Sequence, residues 1–214
     1  VAEPFAMDWR IAYAARRTQL AVMVSKVDHA LLELLWQWRR GDLDADIPLV
    51  VSNHDALRAE VERFGVPFHH VPVTKDTKPE AEAATLALFE EANVDLVVLA
   101  RYMQILSSEV VDRYTGRIIN IHHSFLPAFI GADPYRQAFE RGVKVIGATA
   151  HYVTADLDEG PIIEQGVARV SHRQSVAELR RQGQSLERDV LARAVRWHLE
   201  ARVLVHGNKT VVFS

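Results

Sequence analysis

Cysteine is missing altogether from the 214 residues, which rules out disulfides, thiolate metal sites and cysteine nucleophiles and fits a reducing compartment. Also missing is an apolar run long enough to span a membrane, and no signal-peptide pattern opens the chain. The expectation is a cytoplasmic protein with no membrane partner. Basic charge is not in excess, with 25 Lys and Arg against 28 Asp and Glu. Nothing therefore suggests a nucleic-acid surface, and small molecules are the expected partners. Repeats and low-complexity tracts are absent as well. What is present is 49% hydrophobic and 25% charged residues, enough for one substantial soluble domain with its own core.

Residues 1–18 read as a mixed helix, with Phe5, Trp9 and Ile11 apolar and Arg10, Arg16 and Arg17 basic. Such a helix packs on a sheet or connects to another domain. Residues 19–214 read as a single domain. Continuous apolar runs of strand length, the kind buried on both faces of a parallel sheet, occur at 19–25, 47–52, 67–73 and 94–100. Helical patterns lie between them at 28–41, 55–64 and 79–92, and Ser107 can cap a short helix through Tyr114. This alternation predicts an α/β, Rossmann-like, mostly parallel sheet with helices on both faces. The pattern changes from Val143, where runs at 143–153 and 162–170 could form an antiparallel pair. A long helix follows over 176–201. The tail closes as a hairpin at His206-Gly-Asn-Lys, its Gly-Asn supplying positive φ.

The richest chemistry lies between Arg117 and Ile162. Side chains alternate along a strand, so Asn120 and His122 project to one side and Ile119 and Ile121 to the other. Ser124 and Pro127 end that strand, which puts the amide and imidazole at its C-terminal edge, where open α/β sheets bind ligands. Asp158 stands in the turn after the next apolar run, and its carboxylate reaches the same edge if the two strands are neighbours. An Asn-x-His pair alone is more often a satisfied structural pair than a site. Its surroundings change that weight.

Those surroundings are Ser124-Phe-Leu-Pro127 and, after an interval, Asp158-Glu-Gly-Pro-Ile162. The constellation resembles the enzymes that transfer or hydrolyse the formyl group of 10-formyltetrahydrofolate, whose signature reads Asn-x-His-x-Ser-Leu-Leu-Pro followed by Asp-x-Gly-Pro. Only Phe125 departs, standing for the first Leu. Ala100 to Ser107, Asn120 to Gly131 and Gly147 to Tyr152 are similar to the deformylase branch almost word for word, and the likeness runs from about Phe5 to Phe213. It implies the formyltransferase fold and hydrolysis to formate and tetrahydrofolate, with no cofactor beyond the folate substrate and a homo-oligomeric assembly. Breaking a formamide needs a nucleophile, a stabilised oxyanion and a proton for the departing nitrogen. The resemblance implies that Asn120 donates to the oxyanion, His122 carries the proton and Asp158 orients His122 or holds the attacking water.

The resemblance also places the folate against Met103, Gln104, Ile105 and Leu106 and the loop from Thr154 to Asp158. Read alone, Met103, Ile105 and Leu106 would be ordinary core, and Gln104 stands where the transformylases place a basic residue. His151 is expected to hydrogen-bond Asp158. A metal between His122, His123 and His151 is not expected, because adjacent histidines are poor ligand spacing and the family is not metal-dependent. One alternative is transfer to glycinamide ribonucleotide. The transformylases, however, carry a glycine-rich phosphate loop after the first strand, and this chain has Val24-Ser-Lys-Val-Asp-His29, with no glycine for close backbone approach and Lys26 as its only cation. The other alternative is a non-catalytic folate-binding module on the same fold. Asp133 and Ser185 depart locally from the expected pattern, and Gly183 inside the last helix hints at close packing. Deformylases usually begin with a regulatory ACT domain. No such pattern precedes Gln19, so the helix over 1–18 is expected to be the remnant of that connection.

Overall fold

The computed structural model describes residues 16–128 and 133–213. In chain order the elements are β1 (Thr18–Val24), α1 (His29–Arg40), β2 (Ala45–Asp46), β3 (Val50–Ser52), α2 (Arg58–Glu62), β4 (Phe68–His70), α3 (Lys78–Glu91), β5 (Leu96–Leu99), α4 (Ser108–Arg113), β6 (Ile118–His122), α5 (Pro134–Arg141), β7 (Val145–Tyr152), β8 (Ile162–Arg169), α6 (Val176–Leu199), β9 (Val203–His206) and β10 (Lys209–Val212). The expected N-terminal helix lies almost wholly outside the described residues, and Thr18, assigned to it, already belongs to β1.

The strands order as β4-β3-β1-β5-β6-β7-β8, with the short β2 paired to β1. From β4 to β6 every pairing is parallel, while β7 runs antiparallel to β6 and β8 antiparallel to β7. Side-chain alternation divides the core. Leu20, Val22 and Val24 face Leu31 and Leu34 of α1, while Val190, Leu191, Ala194 and Val195 of α6 close the same layer over Ile119, Ile121 and Ala150. Ala21 and Met23 face the opposite layer, with Leu86 and Phe89 of α3 and Val110 of α4. Strands buried on both faces explain the continuous apolar runs.

Several boundaries differ from the pattern reading. α5 was not anticipated, although Pro134 at its start and the left-handed Gly142 at its end are the expected punctuation. α2 is five residues rather than ten, too short for its apolar periodicity to register. In the β9–β10 turn only Gly207 has positive φ; Asn208 does not. α6 begins with a full capping box between Ser175 and Glu178. Asp133 takes a left-handed N-cap conformation ahead of α5 and pairs with Arg136 and Arg180, which accounts for an acid at that position. Ser185 donates to the Arg181 carbonyl and accepts from Arg188 at an exposed site.

The chain turns away from β1 in both directions, to β3 on one side and β5 on the other, and ligands bind at such a switch point. Ser25 ties the strand ends together there. Its N–H donates to the Arg101 carbonyl, its hydroxyl donates to Asn53 Oδ1 at 2.7 Å and it accepts from the Met103 N–H at 2.9 Å.

Candidate active site

β6 delivers Asn120 and His122 to one face, as alternation requires, and β7 adds His151 directly opposite Asn120. Asn120 Nδ2 lies 3.2 Å from His151 Nε2. His151 Nδ1 lies 2.9 Å from the Tyr152 carbonyl, an acceptor only, so Nδ1 carries a proton. In the neutral ring Nε2 then accepts from the Asn120 amide, which fixes the amide orientation and leaves its second N–H for another acceptor. His151 is expected to hydrogen-bond Asp158, but Asp158 Oδ1 is 3.7 Å away and the nitrogen that faces it is taken by Asn120.

Asp158 reaches the site by a route that the pattern did not reveal. Because β7 is antiparallel to β6, its end at Tyr152 lies beside Ile119, away from the C-terminal edge of β6. The following loop must double back over the sheet face. Two backbone features permit this. Asp158 adopts a left-handed conformation, φ 59°, and Gly160 packs so tightly on the strand that a Cβ there would collide with the Tyr152 carbonyl. Tyr152 N–H donates to the Pro161 carbonyl at 2.9 Å and closes the loop, and the β9–β10 turn braces it through Asn208 Nδ2 donating to the Glu159 carbonyl at 3.0 Å.

So placed, Asp158 Oδ2 stands 3.3 Å from His122 Nδ1. The hydrogen bond from His122, with the His151 ring close by, holds its carboxyl well below the usual carboxylate range, against the upward push of burial. An ionised Asp158 accepts the Nδ1 proton and directs His122 Nε2 the other way. That nitrogen is buried and has no hydrogen-bond partner among the described residues. The His122 residue lines a cavity of about 260 Å³ together with Asn120 and Asp158.

The same cavity is lined by Met103, Gln104, Ile105, Leu106 and Thr154, so every residue expected to meet the folate borders it. Met103 and Ile105 are 57% and 61% exposed and are not core residues, contrary to the reading of these positions alone. An apolar rim around an inner polar end suits a flat, largely apolar ligand with one polar reacting group. Among the described residues no group of three or more ligating side chains is arranged for a metal.

A second cluster was missed in the sequence. Glu187, fully buried on α6, accepts from the Tyr135 hydroxyl at 2.6 Å and sits 2.9 Å from His29 Nε2 and 3.4 Å from Arg101 Nε. Burial raises its carboxyl, but His29, Arg101 and Tyr135 together outweigh that and hold it low. Gly183 makes room, since a Cβ there would collide with the Tyr135 hydroxyl. This is the close packing that the helical glycine hinted at. The available signal was a carboxylate on the apolar stripe of a helix, one turn after a glycine. His123 joins the two clusters, its ring centroid 5.3 Å from that of His122 and 6.1 Å from that of Tyr135.

A mostly parallel sheet with helices on both faces agrees with what the comparisons find. Residues 18–195 match the family model described as formyl transferase, and the chain belongs to that family. Its branch is that of the formyltetrahydrofolate deformylases. The deformylase of Bacillus subtilis is 56% identical over 214 residues, all of this chain and 71% of that protein, and the Mycobacterium tuberculosis H37Rv protein of the same name is 57% identical over 213 residues, 68% of its length. The crystal structure of a formyltetrahydrofolate deformylase from Pseudomonas syringae superposes with a TM-score of 0.97 at 54% identity, covering 100% of this chain and 72% of that one. Glycinamide ribonucleotide transformylase 1 from Symbiobacterium toebii gives 0.87 at 33% identity, covering 96% and 99%.

Proposed function

We propose that this protein hydrolyses 10-formyltetrahydrofolate to formate and tetrahydrofolate, with Asn120, His122 and Asp158 as the working groups. The observation that carries the reading is His122, which lines the cavity beside Asn120 with Nδ1 facing Asp158 and Nε2 without a hydrogen-bond partner among the described residues. Water attacks the formyl carbon as His122 Nε2 takes its proton, and the free Asn120 N–H receives the developing oxyanion. Asp158 stabilises the imidazolium. His122 then passes the proton to N10 as the carbon–nitrogen bond breaks, leaving formic acid, which ionises to formate. The pterin end occupies the cavity against Leu106 and Thr154, with Met103, Gln104 and Ile105 at its rim.

Water is the acceptor in this reading because the loop from Ser25 to Asp28 offers no glycine for a phosphate cradle, and its following residue His29 is committed to Glu187. No cofactor beyond the folate takes part, and the working place is the cytoplasm. The test is formate release from 10-formyltetrahydrofolate with and without glycinamide ribonucleotide. Release at the same rate in both supports hydrolysis. Strict dependence on the amine turns the assignment to transfer, and no release in either leaves only a binding module.

A further inference from the structure

Arg101 follows β5 in a left-handed conformation, φ 66°, and its side chain, 14% exposed, forms part of the wall of the cavity that holds Asn120 and His122. A guanidinium taken out of water needs acceptors for its N–H groups. Glu187 is its counter-ion but accepts no hydrogen bond from it. Arg101 Nε is 3.4 Å from Glu187 Oε2 without hydrogen-bond geometry, and that carboxylate is already committed to His29 and Tyr135. Both Nε and Nη1 are buried and lack a hydrogen-bond acceptor among the described residues. A cationic fork with idle donors in a cavity wall matches a small planar anion, above all a carboxylate.

The reaction proposed above generates one such anion inside this cavity. We propose that Arg101 is the receptor for the formate product, its Nη1 donating to the carboxylate after the carbon–nitrogen bond has broken. The inference rests on the hydrolytic reading and assigns the place of its smaller product. Glu187 approaches the guanidinium only from its Nε side and leaves Nη1 without an acceptor among the described residues. The glutamate carboxylates of the folate are the competing source of this chemistry. They lie at the far end of a long molecule, however, and the exposed Met103 and Ile105 mark where that end leaves for solvent.

The experiment follows the NMR line width of isotopically labelled formate titrated with the folate-free protein. Saturable broadening is expected, reversed by nitrate, which is also planar, and much less by acetate, whose methyl group adds bulk. Arg101→Met should weaken formate binding at least tenfold, and Arg101→Lys, which keeps the charge without the fork, should restore only part. Because Arg101→Met leaves Glu187 less compensated, its thermal unfolding is measured alongside. The nitrate and acetate competition on the unaltered protein stands whether or not the variant folds. No saturable broadening with the parent, or equal broadening with a folded Arg101→Met protein, overturns the proposal. So does a loss of tetrahydrofolate affinity in that variant that disappears for the glutamate-free analogue, since the donors would then serve the folate tail. Turnover is assayed separately: formate release without formate binding removes the receptor and leaves hydrolysis intact, whereas binding without release removes hydrolysis and leaves the anion site.

Discussion

Replacing Asn120 by alanine removes the amide N–H that His151 leaves free, and turnover should fall about a hundred- to a thousandfold, the usual loss for one oxyanion donor. His122→Ala should cost about a hundredfold or more. Steady-state formate release checks both, and a rate equal to that of the parent would remove the residue from the mechanism. His123 has a different effect. Burial, with the nearby Arg101, pushes its imidazole down to about 4, whereas in the unfolded chain it titrates near about 6.5. As pH falls through that window the unfolded chain takes up a proton that the folded one refuses, so stability drops as pH falls from about 6.5 to about 4. Asp158, held low, contributes above the unfolded carboxylate value and loses its contribution only at more acid pH. Denaturant midpoints of His123→Gln and the parent should therefore diverge within the upper window, the variant having the flatter profile. Asn120, His122 and Asp158 were legible because they sit in a continuous local pattern. Arg101 and Glu187 were not, because their meeting depends on the tertiary approach of the segment after β5 to α6, and a lone Arg or Glu carries no spacing.

At the scale of elements, the loop between β7 and β8 is the decisive piece. Gly160→Ala would force its backbone off the Tyr152 carbonyl and withdraw Asp158 from His122. Since Met103 to Leu106 come from another segment, kcat should fall at least tenfold with a smaller change in KM, as when an orienting carboxylate is displaced from a catalytic histidine. A change confined to KM would show that the loop only contacts substrate. The strands were legible because burial on both faces writes unbroken apolar runs, and the antiparallel partnership of β7 and β8 was legible from their length. The return path of the loop was hidden, because a positive φ at Asp158 and a contact at Gly160 leave no periodic trace. α5 escaped for a related reason: at eight residues it offers too few turns for a pattern.

For the whole molecule, the exposed edge is the informative region. β8 ends the sheet with Val167 bare, and the adjoining hairpin exposes Leu204, Val205 and Val211. A strand with one free edge beside such a patch is a site of self-association unless charge or cover protects it, and we propose a homo-oligomer built across it. Light scattering should give a mass that is a multiple of the chain's, reduced towards a single chain by Val167→Lys. A single-chain mass for the unaltered protein would reject this surface. The low net charge and mixed surface gave no guidance here, since they constrain solubility and not symmetry.

Because the hydrogen bond from Asn208 to Glu159 spans 49 positions, the loop that carries Asp158 depends on a stretch made long after it. During synthesis the histidine, the amide and the acid all emerge well before the turn that steadies them. The groups that meet in the cavity are thus made before the hairpin that braces the loop bringing one of them there.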